Sequence, residues 1–435
     1  MSMNLLHIRT FVAGVWTMAM MAWSVQAADG QLRWVSSPEA GWPQFRGPSR
    51  DGVSRETGLL QSWPEGGPKR IWEVQGLGRG YSSPILVGSR VFVTGDVGDH
   101  LKISALDLSG RSIWSVTNGA AWKDPYPGAR STVTFFGGRL FHMNAHGRLV
   151  CLDPANGREH WSIDVLQKFE GENITWGLSE CLAVDEHGVY VTAGGKKALV
   201  AALSTQDGSV LWRTPGYQDA AAGGKWESAS YVSPILVEQG GKRWLVGSSL
   251  KNLFCVDART GALQWMEKRP TTYSVLAMPP VVVGNGIFTT APHGKGGHWF
   301  KLSVEGGKSR AEEGWQTRLD TCQGGVVVWD GKIIGAHYSS RKGWVALDAK
   351  SGEVLYDMAD RVKGSALAAD GRVYAYSEDG WVLLLESGKS GFEIRGRFRF
   401  AEASAMDAWA HPVLLDGRLY LRYHDRLACF DVKAK

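Results

Sequence analysis

At 435 residues the chain has room for two or three ordinary domains, and its 48 Lys and Arg against 43 Asp and Glu leave a formal charge of +5. That near balance, with no basic run of the nucleic-acid type, excludes a polyanionic partner recognised by charge. The 55 glycines and 20 tryptophans describe a protein rich in turns and inter-sheet aromatic contacts, the composition of an all-β fold.

Residues 1–28 read as a secretory signal peptide. His7 and Arg9 form a weakly positive start, residues 11–23 an apolar core, and Val25-Gln26-Ala27 a small-x-Ala cleavage site. The apolar run falls short of the ~20 residues of a membrane span, which weighs against an uncleaved anchor. No later segment is long enough to span, and no lipobox Cys stands near the cleavage site. The expectation is an exported protein, periplasmic or extracellular, with no integral membrane segment after signal cleavage.

Residues 29–68 form a turn-rich, aromatic-studded lead-in around Trp42-Pro43-Gln44-Phe45-Arg46-Gly47-Pro48-Ser49-Arg50-Asp51-Gly52. A strand follows at 69–74 and carries Trp72 without the turn that precedes every later Trp of its kind. Residues 83–87, 90–94 and 101–106 then alternate as three strands of a first sheet. After them comes the phrase that organises the chain: Asp107, Gly110 and Trp114. It returns as Asp153/Gly157/Trp161, Ser204/Gly208/Trp212, Asp257/Gly261/Trp265 and Asp348/Gly352/Tyr356, with a long variant ending at Trp315 and an eroded one at Phe398. The spacing is that of a hairpin. Asp caps a tight turn, Gly takes the positive-φ position, and the aromatic sits on the returning strand.

The positions Trp72, Trp114, Trp161, Trp212, Trp265, Trp315, Tyr356 and Phe398 fall 41 to 53 residues apart, the length of a four-stranded blade. At the far end, strands at 412–421 and 426–431 complete only three quarters of a repeat. The Trp72 strand supplies the missing one. The expected fold is therefore an all-β, eight-bladed β-propeller of four-stranded antiparallel blades over residues 69–433, closed by the N-terminal strand pairing with the C-terminal blade.

Three of the five cysteines, Cys151, Cys255 and Cys429, stand two places before the repeat Asp, where Ala105, Ala202 and Ala346 stand in other repeats. One small buried slot per repeat accounts for all six, and Cys fills it as a small hydrophobe. Cys181 and Cys322 are assigned no bridge, and without a Cys-x-x-Cys no metal site is expected.

In an antiparallel blade, the second turn and the blade-to-blade connection share one face. Here that face carries long loops at 118–130, 164–180, 215–230, 292–298 and 337–342, rich in aromatics and charge. The residues just ahead of each inner strand ring the axis there: Tyr81, Arg130, Glu180, Tyr231, Met278, Gln323, Lys363 and Trp409 with His411. The expected binding residues at the channel mouth are Arg130, Trp176, Glu180, Trp226, His337, Trp409 and His411. Trp122, Trp176 and Trp226 are expected as exposed aromatics that suit a protein, peptide or carbohydrate partner. No catalytic residue is assigned.

The Ser-Pro inner strands, the Leu-Asp-x-x-(Thr/Ser)-Gly-x-x-x-Trp turn and the N-terminal strand closure resemble the PQQ-like β-propeller repeat family, over residues 42–433. That family includes quinoprotein alcohol dehydrogenases and the outer-membrane assembly scaffold BamB. The lead-in resembles the opening of a subfamily of exported bacterial propellers. The resemblance implies, for the catalytic members, a PQQ seat with an adjacent Cys-Cys disulfide, a Ca²⁺ and an Asp general base. This chain has no Cys-Cys and no Asp/Asn run resembling a Ca²⁺ loop. The reading is an exported, monomeric, non-catalytic binding or scaffold module without a cofactor. The alternative is a PQQ- and Ca²⁺-dependent alcohol or sugar dehydrogenase, or another enzyme with its site at the channel mouth.

Overall fold

A computed structural model describes residues 30–218, 223–269, 271–339, 343–359 and 361–434. The signal-peptide segment, 1–28, lies outside the described residues. The described strands form eight antiparallel sheets. Blade 1 runs through Ile85–Val87, Arg90–Val97, His100–Asp107 and Ser112–Ala120 from the axis outward. The inner strands of blades 2 to 7 are Thr134–Phe136, Ala183–Asp185, Ile235–Gln239, Val281–Val283, Val326–Trp329 and Gly364–Ala369. Blade 8 takes Val413–Leu415, Arg418–Tyr423 and Arg426–Asp431 from the C-terminus, and its outermost strand is Lys69–Val74. The closing pair is antiparallel, with Trp72 opposite Cys429. The expected ring is the observed one.

The repeat phrase works as the spacing predicts and adds a contact between blades. Asp257 accepts from the amides of Arg259 and Thr260 at 3.0 Å each, so the carboxylate caps its own turn. The glycine that follows lies flat under the aromatic ring of the preceding blade. Gly110 meets Trp72, Gly157 meets Trp114, Gly208 meets Trp161 and Gly261 meets Trp212; a Cβ on Gly261 would fall 2.3 Å from the indole. The same rings donate to turn carbonyls in the neighbouring blade. Trp72 reaches Leu108 O at 2.8 Å, Trp114 Pro154 O at 3.1 Å, Trp161 Thr205 O at 3.2 Å and Trp212 Ala258 O at 3.1 Å. Each ring is thus fixed on its face and at its edge.

The small slot explains itself from the register. Cys151 is directly opposite Trp161, Cys255 opposite Trp265 and Cys429 opposite Trp72; Ala105, Ala202 and Ala346 face Trp114, Trp212 and Tyr356 in the same way. A large cross-strand residue there would lift the ring off its glycine. All five cysteines are buried and free.

The lead-in behaves differently from a flanking segment. It threads the central channel and binds all eight blades. Arg33–Trp34 adds a short strand to the inner edge of blade 4, and the Leu32 amide donates to Asn285 of blade 5 at 2.8 Å. Trp42 exchanges two backbone bonds with Leu86 of blade 1, and Phe135 of blade 2 donates to Pro43 O. Arg50 donates to Leu182 O of blade 3 at 2.8 Å and to Cys181 O, while Arg46 donates to Val326 O of blade 6. Gly52 and Ser54 bond Ala368 of blade 7, and Glu56 accepts from Asp416 and Gly417 of blade 8. Nothing in the local pattern of the lead-in announces this, because its partners are spread along the whole chain.

Two glycines test the ring-over-glycine contact. Gly261→Ala places a methyl into the Trp212 ring at a φ of +73°, whereas Gly284→Ala, at φ +58°, meets nothing within 4 Å. The control is expected to lose ~1 kcal/mol for the left-handed backbone alone, and Gly261→Ala about 2–4 kcal/mol, read from urea midpoints. Equal losses would mean that the ring contact contributes nothing.

Candidate functional site

The inner strands begin at the face that carries the long connections, so the residues preceding them converge on the axis. They enclose a cavity of about 460 Å³. Its floor is the lead-in. Phe45 meets His411 edge-on at 4.9 Å. The His411 amide donates to Ser83 Oγ at 3.0 Å, its Nε2 donates to Gln323 O at 2.9 Å, and its Nδ1 is left to accept from Arg46 at 3.5 Å. Burial first, and the Arg46 charge second, bring His411 down to about 3, so it is neutral at physiological pH.

Three aromatic groups make the walls. Trp409 stacks at an angle on Tyr81 at 4.7 Å and on Tyr126 at 5.3 Å. Across the cavity, Trp176 packs on Tyr231 at 5.7 Å. His293 lies edge-on between Tyr273 at 5.1 Å and Tyr338 at 4.9 Å. Tyr126, Tyr273 and His293 have φ of 60°, 59° and 61°, a left-handed backbone that bulky residues hold only when their surroundings enforce it. Asp320, fully buried, supplies part of that enforcement. It accepts from the amides of Gly294 at 2.8 Å, Tyr338 at 3.0 Å and Ser339 at 3.2 Å, tying two rim turns together. Behind Tyr338, Lys363 lies 3.7 Å from the ring centre and 3.7 Å from Glu378, whose carboxyl burial lifts to about 7.

Arg130 is the cation of the wall. It stacks over Trp122 at 5.1 Å and donates to Gly128 O and Tyr126 O at 2.7 Å and to Pro125 O at 3.4 Å. These partners are carbonyls of its own loop, and burial brings the guanidinium down to about 10. The cavity lining includes no Asp or Glu. Cys181 and Cys322 face it as thiols that burial raises, Cys322 to about 12, and a protonated thiol is a poor nucleophile.

Of the residues expected at the channel mouth, Arg130, Trp176, Trp409 and His411 line the cavity. Glu180, His337 and Trp226 do not. Glu180 is 1% exposed and points away, accepting the Thr192 amide at 3.0 Å, because its neighbours Ser179 and Cys181 take the cavity side of an extended segment. His337 turns inward in the same manner, 3.4 Å from Asp320, while Tyr338 faces the cavity. Trp226 is 39% exposed on a loop bridged through Gln218, outside the cavity. Trp122, expected as exposed, is 6% exposed beneath Arg130. The sequence reading missed Phe45, Tyr126, Tyr273, His293 and Tyr338. A left-handed Tyr has no local signature, and Phe45 reaches the axis only through the course of the lead-in.

The donor set does not fit the PQQ and Ca²⁺ seat of the quinoprotein enzymes. Hard divalent ions take carboxylate oxygens, and the lining offers none. Among the described residues no group of three or more His, Cys, Asp or Glu could hold a metal ion.

A family model described as outer membrane protein assembly factor BamB matches residues 99–310. Outer membrane protein assembly factor BamB of Yersinia pestis is 25% identical over 297 residues, 64% of this chain and 69% of that one. In structure, BamB from Moraxella catarrhalis superposes with a TM-score of 0.58 at 12% identity, covering 84% of this chain and 99% of that one. Quinohemoprotein alcohol dehydrogenase from Comamonas testosteroni superposes with a TM-score of 0.62 at 13% identity, covering 91% and 81%. At those identities the structural likeness speaks for the fold alone.

Glu180, buried outside the cavity lining, gives the fold a pH signature. Burial raises its carboxyl to about 8 from an ordinary value of 4.5. Between those values the unfolded chain releases the proton and the folded chain keeps it, so stability is greatest below 4.5 and falls as pH rises toward 8. Glu180→Gln is expected to flatten that decline by up to ~1.4 kcal/mol per pH unit, measured as urea midpoints from pH 5 to 8. Parallel profiles for the two proteins would refute the assignment.

Proposed function

Starting from a PQQ-like β-propeller similar to BamB, we propose that this protein is an exported, non-catalytic binding module. It takes an apolar part of a protein partner into the cavity at its long-loop face. The observation that carries the reading is the lining itself: an aromatic cavity floored by Phe45, with one guanidinium and no carboxylate or activated nucleophile. Such a surface supplies large apolar area held in place, which is what a binding hot spot needs and what acid–base chemistry does not.

The Ser and Thr hydroxyls of the lining are already engaged within the protein. Ser179 donates to Tyr231 O, Thr132 donates to Ser83 O, and Ser233 accepts the Cys181 amide. What is left to a ligand is the tyrosine hydroxyls and Arg130, set in a lining that is mostly ring surface. Similarity to BamB supports a periplasmic setting and a place in outer-membrane protein assembly. Among the described residues no helix is long and apolar enough to cross a membrane. The rival quinoprotein dehydrogenase shares the fold, but the lining lacks the carboxylates that such an enzyme uses.

A photo-reactive residue placed at Tyr126 on the rim, or at Ser89 on the opposite face, tests the reading in a periplasmic extract. Discrete protein adducts are expected from Tyr126, none from Ser89, and loss of the Tyr126 adducts in a Trp409→Ala, Tyr231→Ala double variant. Identical adducts from both faces would sink the proposed face. In parallel, titration with PQQ and Ca²⁺ is expected to show no stoichiometric uptake and no dye reduction with alcohols or sugars. Uptake with turnover would establish the dehydrogenase instead.

A further inference from the structure

We propose that the cavity holds the carboxylate end of an apolar, aromatic-bearing molecule, its bulky group against the ring walls and its carboxylate on Arg130. The inference rests on the reading of this face as a binding site and names what the site binds.

The sign of the charge comes first. Arg130 contributes a guanidinium to a lining without Asp or Glu, and the described ion pairs within 4 Å give it no carboxylate partner. Asp96 and Asp124 act on it only at longer range. A cationic ligand would meet this charge with nothing to offset it, and a neutral ligand would leave it desolvated. An anion is the occupant that answers a half-buried guanidinium without a carboxylate partner. The two histidines of the lining do not compete for it, because burial lowers both His293 and His411. Lys363 is already paired with Glu378.

The donors are available. A guanidinium carries five N–H groups in a planar fork. Nη1 and Nη2 find the carbonyls of Gly128, Tyr126 and Pro125, leaving Nε–H and one N–H of Nη1 for a ligand. A carboxylate oxygen can accept from either, and the loop carbonyls hold the guanidinium still.

Shape then chooses an end over a middle. Phe45, His411 and the buried arginines of the lead-in close the cavity below, so an extended chain cannot pass through. A terminus can enter. Rings of Tyr81, Trp409, Trp176, Tyr231, Tyr273 and Tyr338 surround the space, and an aromatic or bulky aliphatic group buries most area there. A volume of about 460 Å³ accepts one such residue and its immediate neighbour.

The same chemistry is offered by the free C-terminus of a polypeptide and by a small aromatic acid. Calorimetry on the full mature chain separates them with two pairs of probes. One pair is N-acetyl-phenylalanine and its amide; the other is an octapeptide ending in Phe, as free acid and as amide. Free acids are expected to bind at least about tenfold more tightly than amides. Arg130→Gln should bring acid and amide within about twofold, and Arg130→Lys should restore part of the preference, with thermal melts reporting that each variant is folded. A preference held by the peptide alone assigns a protein chain end; one held by the amino acid alone assigns a small acid. Equal affinity of acid and amide in the wild type would overturn the inference, as would a preference that survives Arg130→Gln. If no probe binds while the rim-specific crosslinks persist, the carboxylate end is wrong and the binding face stands.

Discussion

An aromatic ring of one blade lies flat on a glycine in the turn of the next, and the propeller depends on that contact. Glycine is required there twice over. The turn puts its backbone at positive φ, 70° to 84° for Gly110, Gly157, Gly208 and Gly261, and the ring leaves no room for a Cβ. The indole edge then finds a carbonyl in the same turn, and the small slot opposite the ring lets it lie low. One element, repeated, fixes the spacing and tilt of successive sheets. Because Trp72 belongs to blade 8 and rests on Gly110 of blade 1, the ring closes with the same contact that builds it. Lys69–Val74 covers the edge of Arg426–Asp431 that the C-terminal strands alone would leave open.

A ring of eight blades leaves a wide axis, and the lead-in fills it. Arg46 and Arg50 adopt φ of 63° and 56° and are fully buried, yet their chief partners are backbone carbonyls. A planar guanidinium suits that work, since it can serve several carbonyls at once without a carboxylate. Desolvation brings both down to about 10, which leaves them charged at neutral pH. The plug also shapes the ligand space: Phe45 sets its depth, and burial, with the Arg46 charge second, keeps His411 neutral beneath it. A channel becomes a pocket by the placement of one segment.

The rim is held by a second network that binds no ligand itself. Asp320 gathers the turns of His293 and Tyr338; Glu378 gathers Gln323 and Lys363. Asp320 thereby holds the turn beside His293, whose own backbone is left-handed, which is the form preorganisation takes in a site made of loops.

The eight aromatic strands, their turns, the small slot and the closure by Trp72 were legible because each is a local rule repeated at a readable period. The cavity was legible in part. That Arg130, Trp176, Trp409 and His411 stand ahead of inner strands follows from topology. That Glu180 and His337 turn away while Cys181 and Tyr338 turn in depends on a one-residue phase that loops do not announce. The sequence alone determined the ring, since every blade must bury its faces on a neighbour and the repeat leaves one way to do so. Only the tertiary structure decided that the ring is plugged and the pocket floored, because Arg46 and Arg50 take partners 131 to 365 residues away, and no local pattern encodes such distant contacts.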